Sequence, residues 1–303
     1  MNAGDGVLAA QVAVLLCGFG YAAVEDLRTR EVSDRLWQLL GVAGVLFGGW
    51  WVAPSGPLSL GIWLLVGVLV LEHMFPWDES LGPTIERYAD ALELVFYILV
   101  VAVVTGAALQ WGVGGSGVPV VSIAVLVVVV FARILFEFGI LYGAADAKAL
   151  MVAGVLLPFF ASPLIPLSTP LENSLKILPF AFNVLMNAAL VAVVVPLAIA
   201  LRNLGRREFH GLRGFTGYTI PVRELPDRFV WVRDPTFAPK DAPEPETSEE
   251  DRVQRTAIAK ELEARGVTRV WVTPQLPFVV LIALGAGLAL LAGNLLLDLV
   301  FAL

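Results

Sequence analysis

Residues 118–138 read VPVVSIAVLVVVVFARILFEF, and this run decides the class of fold. A hydrocarbon core about 30 Å thick takes roughly 20 consecutive apolar residues per helix. Here the first charge, Arg133, comes only near the end of the run. Seven more stretches of the same kind lie around it, at about 7–25, 36–53, 57–75, 91–110, 147–165, 178–201 and 275–302. Composition agrees with that count. The 303 residues are 58% hydrophobic and 16% charged, with a mean hydropathy of +0.80, which is more apolar surface than a water-soluble core of this size holds. The expectation is an all-α polytopic membrane protein of about eight transmembrane helices, with a small cytoplasmic α/β insert before the last one.

The division expected along the chain is a seven-span core over 1–201, a hydrophilic insert over 202–274 and a final span over 275–303. The first stretch has no basic start, so it reads as a span and not as a cleaved signal. Lys and Arg fix the orientation. With residues 26–35 in the cytoplasm, loops 76–90, 139–146 and 202–274 share that side, and of the 20 basic residues only Lys176 is left outside. Both termini then lie outside. Within the insert, 234–251 (DPTFAPKDAPEPETSEED) reads as a flexible linker and 251–265 as an exposed helix, while 218–224, 229–233 and 268–273 alternate like short strands. The net charge of −7 argues against a nucleic-acid partner, because phosphate binding needs a basic face. The single cysteine, Cys17, excludes an intrachain disulfide and a cysteine-based zinc site.

Several motifs read blandly. GVGGSG at 112–117 matches the dinucleotide-loop pattern but lies between two spans instead of a strand and a helix, so it is a turn. His73 and His210 are the only histidines, and neither has a second ligand at metal spacing. No cofactor and no metal is expected. Glu72, Glu93, Arg133 and Glu137 near helix ends read as side chains reaching for the interface, and His73 and His210 as interfacial residues. Asp298 carries no assigned role.

Asp26 and Asp146 differ from these. Asp26 closes the first span in YAAVEDLRTREVSDRLW (21–37), and Asp146 opens the sixth in ILYGAADAKALMVAGVLLP (140–158). An ionisable group this close to hydrocarbon is costly and marks a functional site by default. Four spans separate the two, so parity places both at the cytoplasmic face. Asp34, Asp78 and Asp90 share that face.

The two runs resemble those of the type IV prepilin and archaeal preflagellin peptidases, membrane aspartyl proteases of the GxGD kind. In that family the first catalytic aspartate ends the first helix ahead of a basic stretch, as Asp26 does before Leu-Arg-Thr-Arg. The second closes a glycine motif, here Gly143-Ala144-Ala145-Asp146 with Lys148 following. Ala145 stands where the motif has its second glycine, and archaeal members tolerate alanine there. VWVTPQLPFVVLIALGAG at 270–287 is similar to the entry into the last span of archaeal enzymes with a hydrophilic insert. The paired cysteines of the bacterial methylating enzymes are absent, which implies peptidase activity without N-methylation.

The resemblance implies a two-carboxylate hydrolysis with Asp26 and Asp146 as the catalytic pair. Asp146, ahead of a helix whose dipole favours an anion, is expected to be the ionised base, with Asp26 carrying the proton, although Arg28 or Arg30 could reverse that order. Gly143, without a Cβ, is expected to let the backbone turn sharply and approach the substrate. Lys148 is left to orient Asp146 or to reach the headgroups. The substrates implied are precursors with a basic segment followed by a hydrophobic one, cut at the cytoplasmic boundary. Asp78, Glu79, Glu86 and Asp90, with only Arg87 among them, would steer the basic segment. Two rivals stand beside this reading: a transporter or channel using Asp26 and Asp146 as ion sites, and a scaffold whose insert recruits a partner.

Overall fold

The computed structural model describes residues 3–75, 88–114, 117–141, 143–160, 178–232 and 247–302. These residues are mostly helical, with one small sheet among them. In order come α1 (Ala3–Thr29), α2 (Asp34–Val52), α3 (Pro57–Glu72), α4 (Ala89–Trp111), α5 (Val120–Glu137), α6 (Ala144–Leu156), α7 (Phe180–Ala192) and α8 (Val194–Gly205). Strands β1 (Tyr218–Pro221) and β2 (Val230–Val232), helix α9 (Ser248–Ala264) and strand β3 (Arg269–Pro274) follow, then α10 (Phe278–Ala292) and α11 (Leu295–Ala302). Among the described residues, five helical segments are long and apolar enough to cross a membrane: Gly4–Thr29, Asp34–Ser55, Ala91–Trp111, Val120–Glu137 and Phe180–Gly205. Two apolar helices, α3 and α10, are shorter. This is a helical membrane protein.

Three of the expected stretches differ from single unbroken spans. Within the described part of the stretch 147–165, residues 147–156 belong to α6, a helix of 13 residues or about 20 Å at 1.5 Å per residue. The helix stops because Pro158 disfavours helical geometry at Leu157, which sits at φ −133°, ψ 80°. Residues 161–177 lie outside the described part. The stretch 178–201 is interrupted at Val193, still in helical geometry at φ −60°, ψ −26°, because Pro196 has no amide to donate to the carbonyl of Ala192. The stretch 275–302 breaks at Gly293–Asn294 into α10 and α11.

Contacts divide the chain into two compact units. The first comprises 1–24, 32–188 and 279–303. Within it α6 is packed against α2 and α5 and is buried along nearly its whole length. Close approach needs Gly44 on α2: a Cβ there would lie 3.1 Å from the carbonyl carbon of Val155. The last carbonyl of α6, Leu156 O, accepts from the buried Gln11 Nε2 at 2.7 Å, so this helix end is satisfied without water.

The second unit comprises 25–31 and 189–278, so the insert takes in the end of α1 and the end of the seventh stretch, beyond the 202–274 expected. Its sheet is antiparallel in the order β1-β3-β2, with Tyr218 opposite Val272 and Val230 opposite Pro274. Ile220, Leu225, Val230, Leu262, Val270 and Val272 form its core. Helix α9 starts at Ser248, inside the segment read as linker. Thr247 Oγ1 accepts from the Glu250 amide at 3.3 Å, and Glu249, Glu250 and Asp251 face the positive end of the helix. Residues 234–246 of that segment lie outside the described part. At GVGGSG, Gly112 and Gly114 take positive φ in the turn between α4 and α5.

Candidate active site

Asp146 belongs to the first unit. Gly143 caps α6 in extended geometry, φ −103°, ψ 135°, and Asp146 is the third helical residue. The Gly143 amide donates to Asp146 Oδ2 at 3.3 Å, and the Asp146 amide donates to Gly143 O at 3.0 Å. The carboxylate is thereby folded back over the helix start, where the dipole favours an anion. It is only 8% exposed. Gly143 is at negative φ, so the sharp turn anticipated for it is not what it supplies. It supplies room: a Cβ would stand 3.2 Å from Asp146 Oδ2 and 3.6 Å from Cγ. Ala145 is a helical residue of the first turn, where alanine costs about 1 kcal/mol less than glycine. No glycine is needed there. Lys148 Nζ lies 2.5 Å from Asp34 Oδ1 at the start of α2, a pair that ties α6 to α2.

Asp26 belongs to the second unit, in the last turn of α1. Leu15, Phe19 and Ala22 mark the buried face of this helix, and Asp26 is the next position on that same face, 6% exposed. An acid therefore occupies a place that the pattern reserves for an apolar side chain. Arg28 is exposed. Arg30 ends the helix in the left-handed region at φ 62°, and its amide and Nη1 both donate to Asp26 O at 3.1 Å. Its guanidinium lies over the Phe229 ring, 5.0 Å from the centroid. Burial pushes the Arg30 pKa below its ordinary value, and the charge of Asp26 acts against that shift.

The segment after Asp26 is anchored to the insert. Phe229 also receives Arg255 at 5.7 Å, Arg255 pairs with Asp251, and Gln275 Nε2 donates to Asp251 Oδ2 at 2.9 Å. Glu31 accepts the Ser248 amide at the N-terminus of α9. Basic residues that the sequence offers as neighbours of Asp26 thus divide into one exposed, Arg28, and one locked in place, Arg30.

Of the four acids expected to steer substrate, Asp78, Glu79 and Glu86 lie outside the described residues, and Asp90 is in the first turn of α4. The histidines part ways. His210 is exposed, whereas the His73 side chain is only 7% exposed and sits among Glu72, Glu93 and Tyr97. Sequence spacing misses this grouping because its members come from separate helices. The available signal is that Glu72–His73, Glu93 and Arg133 all stand at helix ends that alternate crossing would bring to one side. No family model, curated protein or solved structure matches the chain.

Proposed function

We propose that the protein is a membrane-embedded aspartyl endopeptidase that cleaves precursors carrying a short basic segment followed by a hydrophobic one, as type IV pilin-like and archaellin precursors do. One observation carries the reading. Among the described residues, Asp26 and Asp146 are the only buried carboxylates, and they are the two acids singled out by the family resemblance. Burying a carboxylate beside hydrocarbon is costly, and such a group marks a functional site by default.

The chemistry needs only these two groups and a water. Asp146, held by the Gly143 amide at the start of α6, serves as the ionised base and takes a proton from water as the oxygen attacks the scissile carbonyl. Asp26, at the carbonyl-rich end of α1, carries the proton, hydrogen-bonds the carbonyl oxygen and protonates the departing amine. Two carboxylates sharing one proton titrate as a unit, as they do in the soluble aspartic proteases. The basic segment of the substrate meets the acids of loop 76–90.

Eight membrane crossings accompany the reading. Contacts of Arg30 and Glu31 with Phe229 and Ser248 support an insert on the side where α1 ends. Four crossings by α2, α3, α4 and α5 return the chain to that side, and Phe180–Gly205 delivers it there again. The reading keeps the expected stretch 147–165 as one crossing and takes α10–α11 as the eighth. The positive-inside rule makes that side cytoplasmic.

Separate Asp26→Asn and Asp146→Asn variants, reconstituted with a pilin-like precursor, test the assignment. Each is expected to lower cleavage by at least about a hundredfold, the scale of a lost acid or base, while still inserting and running as a folded protein. Precursor processing by both variants at the wild-type rate would remove the peptidase reading.

A further inference from the structure

The turn that follows the span Phe180–Gly205 is tightly built. Asn203, fully buried near the end of α8, donates from Nδ2 to Gly214 O at 2.9 Å and to Gly217 O at 2.7 Å. Its own carbonyl accepts the Glu208 amide at 2.9 Å. Phe209 and Phe215 meet edge to face with centroids 5.4 Å apart, and a Cβ on Gly214 would stand 2.5 Å from the Phe209 ring. Arg207 takes the left-handed region at φ 58°, uncommon for a residue with a Cβ, and so reverses the chain at once. Residues 206–217 are thereby folded back on the end of α8 instead of leading away from it.

The charges of this turn are sorted. Arg202 is engaged: its guanidinium lies over the Tyr218 ring, 4.0 Å from the centroid, and Nη2 donates to Thr219 O at 3.4 Å. Glu208, the one acid of 202–217, is engaged as well. Its Oε1 lies 3.1 Å from Arg269 Nη2, and its Oε2 accepts from Thr219 Oγ1 at 2.6 Å. What is left on the surface is basic and apolar. Arg206, Arg207 and Arg213 are exposed, and none of the three forms an ion pair among the described residues. Leu212, next to Arg213, is 87% exposed. One exposed leucine needs no explanation, but an ordered turn that shows it beside three uncompensated arginines does.

We infer that residues 206–213 form a docking surface for anionic lipid headgroups. Depth is the first support. The headgroup zone is about 6 Å thick on each side of the hydrocarbon, and the Asn203 hydrogen bonds hold Gly214 at the end of the span, so Leu212 and Arg213 lie at the level of that zone. Chemistry is the second. Guanidinium forks match phosphate oxygens, and a leucine between them enters the acyl boundary as the apolar side of an interfacial segment does. Three positive charges without a protein counter-ion favour a headgroup of net negative charge over a zwitterionic one. The surface uses neither Asp26 nor Asp146, and it stands whether or not the protein is a peptidase.

The test uses full-length protein in a neutral detergent, titrated separately with phosphatidylglycerol and phosphatidylcholine, with bound lipid read by native mass spectrometry. Phosphatidylglycerol is expected to bind more tightly. The triple variant Arg206→Gln, Arg207→Gln, Arg213→Gln is expected to weaken that binding by more than about tenfold, each arginine near a headgroup being worth about fivefold. Arg223→Gln, which removes an exposed arginine elsewhere in the insert, is expected to bind as wild type does. Depth is read from a bimane attached through Leu212→Cys in a Cys17→Ser background, in nanodiscs whose phosphatidylglycerol carries a headgroup nitroxide. Strong quenching is expected. Equal affinity for the two lipids, or unchanged affinity in the folded triple variant, overturns the proposal. An unquenched label gives the surface to a soluble partner, and displacement of lipid by inorganic phosphate gives it to a free anion. Either result overturns it too.

Discussion

At residue 143 the absence of one carbon decides where a carboxylate rests. A Cβ would be 3.2 Å from Asp146 Oδ2, closer than most such contacts, while φ −103° suits alanine well. Gly143→Ala is therefore expected to keep or slightly raise stability, by up to about 1 kcal/mol through the unfolded chain. It is expected to lower kcat by about tenfold, or 1.4 kcal/mol, because the carboxylate shifts. Thermal unfolding and steady-state cleavage of a precursor check the two halves, and an unchanged kcat would show that the position of Asp146 does not depend on that space. The motif in the sequence points to Gly143 and Asp146, but the physical reason for the glycine is legible only with the carboxylate folded back over it. The grouping around His73 is illegible for a related reason: Glu93 and Tyr97 are distant in sequence and reach the ring only through helix packing.

Elements are legible to the extent that apolar length is a local property. Runs such as 118–138 need nothing beyond their own residues to be read as helices, and the alternation at 218–224 and 268–273 likewise marks strands. Breaks are harder to read, because they depend on what satisfies the freed backbone. Within 275–302 the chain opens at Gly293, φ 83°, and α7 supplies the partners: Asn187 Nδ2 donates to Gly293 O at 2.8 Å, and its Oδ1 accepts the Leu295 amide at 2.9 Å. Asn294 caps α11 through the Leu297 amide at 3.0 Å and donates to Asn183 Oδ1 at 2.8 Å. Asn187→Leu removes both backbone partners at once in a setting without water. It is expected to destabilise the protein by about 1–3 kcal/mol, read by unfolding in mixed detergent micelles. A variant as stable as wild type would mean that the break holds without Asn187.

On the scale of the whole molecule, the acid at the end of α1 and the acid at the start of α6 fall in different compact units, 120 positions apart in sequence. The end of α1 is held by the insert, through Arg30 on Phe229 and Glu31 on Ser248, and α6 is held by α2 and α5. Each acid is thus fixed by its own surroundings, and the proposed chemistry requires that the two act on one water. Neither composition nor span counting bears on that requirement, since parity places several acids on the same face. A short thiol crosslinker gives the sharpest test, applied to membranes containing Asp26→Cys with Asp146→Cys in a Cys17→Ser background. An efficient intrachain bridge is expected, with none when Cys is placed at exposed Arg28 instead of Asp26. Failure of the 26–146 pair to bridge, with both thiols reactive toward a monofunctional reagent, would contradict the two-aspartate mechanism.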